Sequence, residues 1–274
     1  MRPRRLFIDG IASWTPTLPD WPTLAQALRN EVPPAPDAAP QRPSADLLAP
    51  NERRRAPESV LMALQVAQQA VVASGQDMAV LANVFASAHG DLPITDALCR
   101  TLAENPLALS PTRFHHSVHN AASGYWAMAS HSMAASTALS AFKHSFAAGL
   151  LEAASQCAAD EHAVLLVAYD TQATGPLASV NGSHGLLALA LVLAPAPGPA
   201  SHWVLDWHLG QSAALAAPAP LRSETALRLS QNASGDSLSL LQALAEGQPA
   251  NLSLPQGPAL CMNAHLQPWP LAGA

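Results

Sequence analysis

The chain has 274 residues, of which 49% are hydrophobic and 12% are charged, and its formal net charge is −6. This length supports a large core, and the low Lys and Arg content argues against a general nucleic-acid-binding protein. The one basic run, Arg53–Arg55, is too short to change that expectation. Three widely separated cysteines, Cys99, Cys157 and Cys261, have neither the spacing of a disulfide framework nor that of a zinc site. The scarcity of charge also predicts that a partner chain covers part of the surface.

The longest apolar run, GLLALALVLAPAP (185–197), is too short to span a bilayer. The N-terminus has basic residues but no long apolar segment typical of a signal peptide. We therefore expect a cytoplasmic protein without a membrane span.

The first third of the chain predicts a strand, an irregular segment and a helix. RLFIDGIASW (5–14) is typical of a strand, and the proline-rich segment 32–50 predicts a surface loop. Pro57 to Ser74 predicts a helix, with Gly75 suited to the left-handed residue past its end. The apolar stripe of this helix consists of Val60, Leu64, Ala67 and Val71.

The middle of the chain alternates short apolar runs with helical patterns. Residues 81–90 and 135–141 predict strands, and 120–133 predicts a helix. A second helix should follow from Phe142 onward, and the continuously apolar run 162–170 predicts a strand covered on both faces.

The last third predicts a further buried strand at 185–195 and an edge or half-exposed strand at 203–209. A helix is expected at about 237–246, capped near Asp236 or Ser237. Strands alternating with helices favour an α/β fold, a layered sheet with helices on both sides, and one domain spanning 1–274 is the simplest count.

The densest polar cluster, in PTRFHHSVHNAASGYW (111–126), comprises His115, His116, Ser117, His119 and Asn120. His115 and His119 on one face could bind a metal or act as bases, although the cluster contains no carboxylate or thiol ligand. The other interpretation is that Ser117 or Asn120 caps the following helix while the histidines bond the backbone or face a neighbouring chain. We expect no metal.

The stretch ASTALSAFKHSFAAGLLEAA (135–154) predicts a strand that turns sharply into a helix, a geometry that often carries a nucleophile. Ser140 lies at the turn and His144 follows four residues later, so a serine hydrolase is one hypothesis. The turn sequence ALSAF (138–142) lacks the two glycines of the G-x-S-x-G motif, which argues against a serine hydrolase. The Ser-His pair in NGSHG (181–185) is more typical of a turn into the next strand.

Residues 110–170 resemble the N-terminal half of β-ketoacyl synthases of the thiolase fold. SVHNAASGYW, FAAGLLEAA and VNGSHGLLALAL are similar to the chain-length-factor proteins of type II aryl polyene and xanthomonadin-type pigment clusters. The resemblance runs from about residue 5 to 195. It implies a thiolase-like layered fold, truncated to roughly the N-terminal half of a ketosynthase plus a short C-terminal extension.

The resemblance also implies where a nucleophile should be. In ketosynthases the catalytic cysteine lies where the interface strand turns into a buried helix. If Gly149 is aligned with the glycine in that helix of ketosynthases, Ala141 occupies the position of the cysteine. An alignment shifted by one residue places Ser140 there instead. Neither residue has a thiol, so the chain is expected to have no catalytic residue of its own and no cofactor.

The implied partners are a full-length β-ketoacyl synthase, in a heterodimer, and an acyl carrier protein with a phosphopantetheine-bound acyl chain. Ser136, Thr137, Ala138 and Leu139 would pair with the partner's equivalent strand, with the cluster His115–Asn120 at or near that interface. Phe142, Phe114 and Met133 are candidates for shaping the acyl tunnel, whereas an ordinary core position is the alternative for Phe142. The competing hypotheses are a stand-alone serine acyltransferase or thioesterase using Ser140, with His144 or His119 as the base, and a homodimeric scaffold without a tunnel.

Overall fold

A computed structural model describes residues 4–30, 39–180, 182–211 and 220–270. The described residues form eight strands: β1 (Arg4–Trp14), β2 (Ala82–Ala86), β3 (Ser136–Leu139), β4 (Val164–Asp170), β5 (Leu187–Ala194), β6 (Trp203–Gln211), β7 (Ala250–Pro255) and β8 (Leu260–Pro268). All eight belong to one sheet, in the order β3-β2-β4-β5-β1-β6-β8-β7. Strands β3, β2 and β4 are parallel, and every other neighbouring pair is antiparallel.

The same residues form nine α-helices: α1 (Trp21–Leu28), α2 (Pro50–Arg55), α3 (Glu58–Ser74), α4 (Leu92–Glu104), α5 (Pro111–Ser117), α6 (Ala121–Ser130), α7 (Ser145–Asp160), α8 (Glu224–Leu229) and α9 (Leu238–Glu246). Polar side chains fix several of the helix starts, because they accept a backbone N–H that has no partner within the first turn. These caps are Asp20, Asp91, Ser110 and Ser223. None of the helices in the described part of the chain is long and apolar enough to cross a membrane.

The helices cover both faces of the sheet. Helices α3 and α6 pack on one face over a core that includes Trp14, Phe85 and Trp126. Helices α1, α7 and α9 lie over the other face, where Phe146 and Leu150 are fully buried. Strands β4 and β5 are buried along their whole length, which confirms the prediction from their continuous apolar runs.

Helix α7 lies unusually close to the sheet at Gly149. A Cβ atom at this position would be 2.8 Å from the Cβ of Ala86 on β2 and 3.0 Å from Cδ1 of Leu166 on β4. Both contacts are shorter than normal packing distances, so this helix position requires glycine.

Several boundaries differ from the sequence predictions. Pro57 precedes α3 as its N-cap instead of lying in the first turn, and the αL residue Gly75 ends the helix as expected. Helix α6 stops at Ser130, so Met133 lies outside it. Segment 39–49 has no helix or strand, as predicted for the proline-rich loop, and the rest of that loop up to residue 38 is outside the described residues.

Of the two alternatives predicted for this strand, an edge strand or a half-exposed strand, β6 is the second. It pairs with β1 on one side and β8 on the other, although His208 on its polar side is exposed, as its alternation predicts. Helices α1, α2, α4, α5 and α8 and strands β7 and β8 were not predicted. The hairpin of β7 and β8 gives β6 its second neighbour, and the alternation of β6 alone could not decide between the two alternatives.

Candidate functional site

Strands β2, β3 and β4 are parallel, so their carboxyl ends meet at one edge of the sheet. Ligand sites in open α/β sheets commonly lie outside the carboxyl ends of such strands. Here three segments follow the strands: the loop 87–91 after β2, the turn 140–144 after β3, and Asp170 at the end of β4. These segments and the loop before α9 constitute the candidate site.

The turn between β3 and α7 has a strained backbone. Phe142 has a φ of 55°, a left-handed conformation that a bulky side chain rarely adopts. Ser145 at the start of α7 holds the turn together, because its Oγ accepts the Ala141 N–H at 3.0 Å and donates to the Phe142 carbonyl at 2.8 Å. Sharp, strained strand-to-helix turns of this kind expose nucleophiles in α/β-hydrolases.

The side chains at this turn are those of Ser140, Ala141 and Phe142. The Ser140 hydroxyl donates to the carbonyl of Ala88 at 2.9 Å. Among the described contacts Ser140 has no hydrogen bond to a histidine, and His144 joins the turn through its backbone N–H, which donates to the Ala141 carbonyl. The geometry therefore does not show the serine–imidazole pair that a serine nucleophile requires.

The Phe142 ring is 44% exposed and lies between two basic side chains. Its centroid is 6.4 Å from that of His89 in an edge-on arrangement, and the Lys143 ammonium lies 5.7 Å from it. Phe142 is therefore not an ordinary core residue of α7. The other two tunnel candidates are more exposed still, at 64% for Phe114 and 97% for Met133.

A buried carboxylate, Asp170, connects the loops of the site. It accepts hydrogen bonds from the hydroxyls of Ser87 at 2.9 Å and Ser234 at 2.7 Å, and from the backbone N–H of Ala88. Burial raises the pKa of Asp170 to about 6, because the ionised form loses its hydration, and the hydrogen bonds only partly offset this effect. Asp170 thus fixes the loop after β2 against the loop before α9.

A second carboxyl group, Asp236, lies at the N-terminus of α7. Its Oδ2 accepts the backbone N–H of Ala147 at 3.0 Å, while its Oδ1 is buried and has no hydrogen-bond partner among the described residues. Burial, with a smaller contribution from the charge of Asp170, raises the pKa of Asp236 to about 7. Two clefts border this residue.

The histidine cluster is divided between two places. His116 is buried, with Nε2 3.0 Å from the Tyr125 hydroxyl, whereas His115 is exposed. Nε2 of His119 lies 2.8 Å from the Ser87 carbonyl, next to the Asp170 network. His115 and His119 do not share a helix face, as the metal or base hypothesis required, because α5 ends at Ser117, before His119.

The capping expectation is also only partly right. Ser117 donates to the Phe114 carbonyl within α5 and does not cap α6. Asn120 occupies the N-cap position of α6 without a side-chain hydrogen bond. Among the described residues no group of three or more His, Cys, Asp or Glu side chains could hold a metal ion.

Strand β3 forms one edge of the sheet, with β2 as its only neighbour within the described chain. The carbonyls of Ala135 and Leu139 accept N–H groups from the β2 side. Because backbone groups alternate in direction along a strand, those of Ser136 and Ala138 point away from the sheet. The side chain of Thr137 accepts a hydrogen bond from Gln156 of α7, and Leu139 packs against the core on that face.

The cysteines lie away from the turn. Cys99 is exposed on α4, Cys157 is buried in the second half of α7, and Cys261 is buried in β8. Burial raises the pKa of the Cys157 thiol to about 12, so this thiol is not reactive. The turn is therefore without a thiol.

Asp170, Ser87 and Ser234 were missed as site residues, and Asp236 was noted only as a helix cap. The available signal for Asp170 was its position directly after a buried strand. Nothing in the local sequence indicates that Ser234, 64 positions later, contacts it.

The mixed eight-stranded sheet with helices on both faces is the thiolase-like fold of ketosynthases. It matches a chain of the ketosynthase ApeO in complex with its chain length factor ApeC from Xenorhabdus doucetiae, with a TM-score of 0.68, 22% identity, and coverage of 94% of this chain and 98% of that chain. A chain of the ishigamide ketosynthase/chain length factor matches with a TM-score of 0.73, 13% identity, and coverage of 97% and 99%. For ketosynthase twelve of the bacillaene polyketide synthase from Bacillus amyloliquefaciens the TM-score is 0.56 and the identity 14%, and the match covers 79% of this chain and 47% of that chain.

The chain belongs to the family described as "Beta-ketoacyl synthase, N-terminal domain", whose match covers residues 24–256. This match continues well past residue 195, where the resemblance recognised in the sequence ends. No curated protein sequence matches the chain significantly.

Proposed function

We propose that this chain is a non-catalytic chain-length factor that pairs with a full-length β-ketoacyl synthase and shapes the acyl tunnel of the heterodimer. The observation that carries the proposal is the strand-to-helix turn, which has serine, alanine and phenylalanine but no thiol. The conclusion is the same whether Ser140, Ala141 or Phe142 aligns with the cysteine, because none of them can form the acyl thioester by which ketosynthases work. The condensation would take place in the partner.

The exposed edge of β3 supports the pairing. The four-residue edge of β3 presents backbone N–H and C=O groups with which another chain can pair. Backbone groups of Ser136 and Ala138 are available to a partner strand, and Met133, shortly before β3 in the chain, is 97% exposed. In the ApeO–ApeC structure a ketosynthase is in complex with its chain length factor, which is the assembly we propose.

The reaction served would be chain elongation on an acyl carrier protein, with a polyene or fatty-acyl product such as an aryl polyene pigment. The related structure AntDE:AntF is a type II acyl-carrier protein in complex with its ketosynthase, and it matches at 12% identity with a TM-score of 0.66 and coverage of 97% of this chain and 99% of that chain. Phe142, Phe114 and Met133 would contribute the steric end of the tunnel from this subunit. Such an assembly would work in the cytoplasm.

The test is co-expression with a full-length ketosynthase from the same organism, followed by size-exclusion chromatography with mass determination and an elongation assay. We expect a one-to-one complex that elongates acyl chains, while this chain alone is inactive. The matched variant S140A should keep full activity in the complex, because the serine has no chemical role.

A monomer or homodimer that turns over acyl thioesters without a partner would refute the proposal. Loss of that activity in S140A would then support the serine acyltransferase or thioesterase.

A further inference from the structure

The backbone of Phe142 is fixed by its own turn, whereas the direction of its ring depends on neighbouring side chains. Its φ of 55° is a left-handed conformation that a bulky residue keeps only where the surrounding structure holds it. Ser145 provides this hold, because its Oγ binds the Ala141 N–H and the Phe142 carbonyl. The ring lies beyond these bonds and is 44% exposed, so other residues must orient it.

Among the described contacts, two basic side chains lie beside this ring. The ring of His89 is edge-on to it, with centroids 6.4 Å apart and planes at 82°, an arrangement that aromatic pairs favour. The ammonium of Lys143 lies 5.7 Å away, on a long side chain that belongs to the same turn. His89 is the contact that comes from another segment, on a short side chain with few rotamers, so it can define where the ring lies.

The loop 87–91, which carries His89, is held by hydrogen bonds on several sides. Within the loop, Ser87 Oγ accepts the Gly90 N–H at 2.8 Å, and the same hydroxyl donates to the buried Asp170 at 2.9 Å. Nε2 of His119 lies 2.8 Å from the Ser87 carbonyl. The loop is therefore a firm support for the His89 ring.

We propose that His89 is a positioning residue for Phe142, and that it holds the phenyl ring in the direction in which the ring limits the acyl cavity shared with the partner. The consequence for product length rests on the proposed function, whereas the ring contact rests on the geometry of this chain alone. In this role His89 acts through Phe142. Two segments then set the length limit together, the loop after β2 and the turn after β3.

The ring contact is tested on the isolated chain, with para-fluorophenylalanine placed at position 142 alone and observed by fluorine NMR. In H89A the resonance should move toward its position in the denatured chain, because the ring loses its edge-on neighbour. H89Q, of similar size but without a ring, should behave like H89A, whereas H89F should keep the resonance away from the denatured position. The matched control H208A removes an exposed histidine ring from β6 and should leave the resonance unchanged.

The consequence is tested in the complex with the ketosynthase, by mass spectrometry of carrier-bound products. H89A should raise the share of products longer than those of the wild type by about two- to tenfold, the effect of losing one edge-on aromatic contact. The double variant H89A/F142A should match F142A, because His89 acts only through Phe142. H89F should restore the wild-type distribution, whereas a role of His89 in folding alone would lower all products equally.

An unchanged resonance in H89A, or longer products from the double variant than from F142A, would overturn the inference. A displaced resonance with an unchanged product distribution in an active complex would also overturn it and would leave the partner role standing. If H89A displaces the resonance but no complex forms with the ketosynthase, the proposed function fails and the ring contact stands.

Discussion

At the scale of single residues, the site depends on carboxyl groups that carry a desolvation cost. Hydrogen bonds from two serine hydroxyls and a backbone N–H partly offset the desolvation of Asp170. The Oδ1 atom of Asp236 is buried and has no hydrogen-bond partner among the described residues. Burial raises the pKa of both carboxyl groups, to about 6 for Asp170 and about 7 for Asp236. The folded state therefore binds protons more tightly than the unfolded state at both positions.

This difference predicts a stability that falls as pH rises. Each group contributes its full stability below its unfolded pKa near 4, and this contribution is lost as pH rises through the folded pKa of about 6 or about 7. Since Asn carries no charge at any pH, D236N should be more stable than wild type at pH 8, by about 3 kcal/mol, and close to wild type at pH 4. Thermal unfolding of both proteins at pH 4, 6 and 8 measures this.

The control for that measurement is D160N, at the opposite and exposed end of α7. Its effect on the melting temperature should be the same at pH 6 and pH 8. If the difference in stability between D236N and wild type does not increase from pH 4 to pH 8, the Asp236 carboxylate does not destabilise the folded state through burial.

At the scale of secondary-structure elements, the two edges of the sheet provide a matched comparison. On β3 the backbone of Ala138 points away from the sheet. Just past β7, the backbone N–H of Gln256 donates to the carbonyl of Leu260, towards β8. Backbone groups alternate in direction along a strand, so those of Asn251 point away from the sheet. Proline at either position removes an outward N–H without breaking a backbone hydrogen bond inside the sheet.

We therefore expect A138P to fold and to lose the complex with the ketosynthase, and N251P to fold and keep it. Co-purification of the pair and circular dichroism of the isolated variants test this. A complex that survives A138P with unchanged stoichiometry would mean that the partner does not add a strand at β3.

At the scale of the whole molecule, the same surface carries the edge of β3, the strained turn and the exposed Phe142. Because Phe142 is 44% exposed and stands beside His89, its ring is available to limit a cavity shared with a partner. In the active complex, F142A should shift the product distribution toward longer chains, since removing the ring extends the tunnel. Mass spectrometry of carrier-bound products measures this shift, and an unchanged distribution in F142A would remove Phe142 from the tunnel end.

Strands β1 to β5 and helices α3, α6 and α7 were predictable because they depend on local patterns. The continuous apolar runs predicted the buried strands β4 and β5, and Gly75 predicted the end of α3. Helices α1, α2 and α5 were missed because, with 8, 6 and 7 residues, they are too short for a helical period to be recognised, and α4 was missed although it has 13 residues.

The sequence by itself determined the α/β class and the absence of a thiol at the turn, because composition and periodicity are read within a few neighbouring residues. Only the tertiary structure decided that β6 is internal, that β3 is an edge, and that Asp170 meets Ser234. These features depend on contacts between distant segments, such as the β7–β8 hairpin that covers β6, and no local pattern specifies the partner of a strand or of a buried carboxylate.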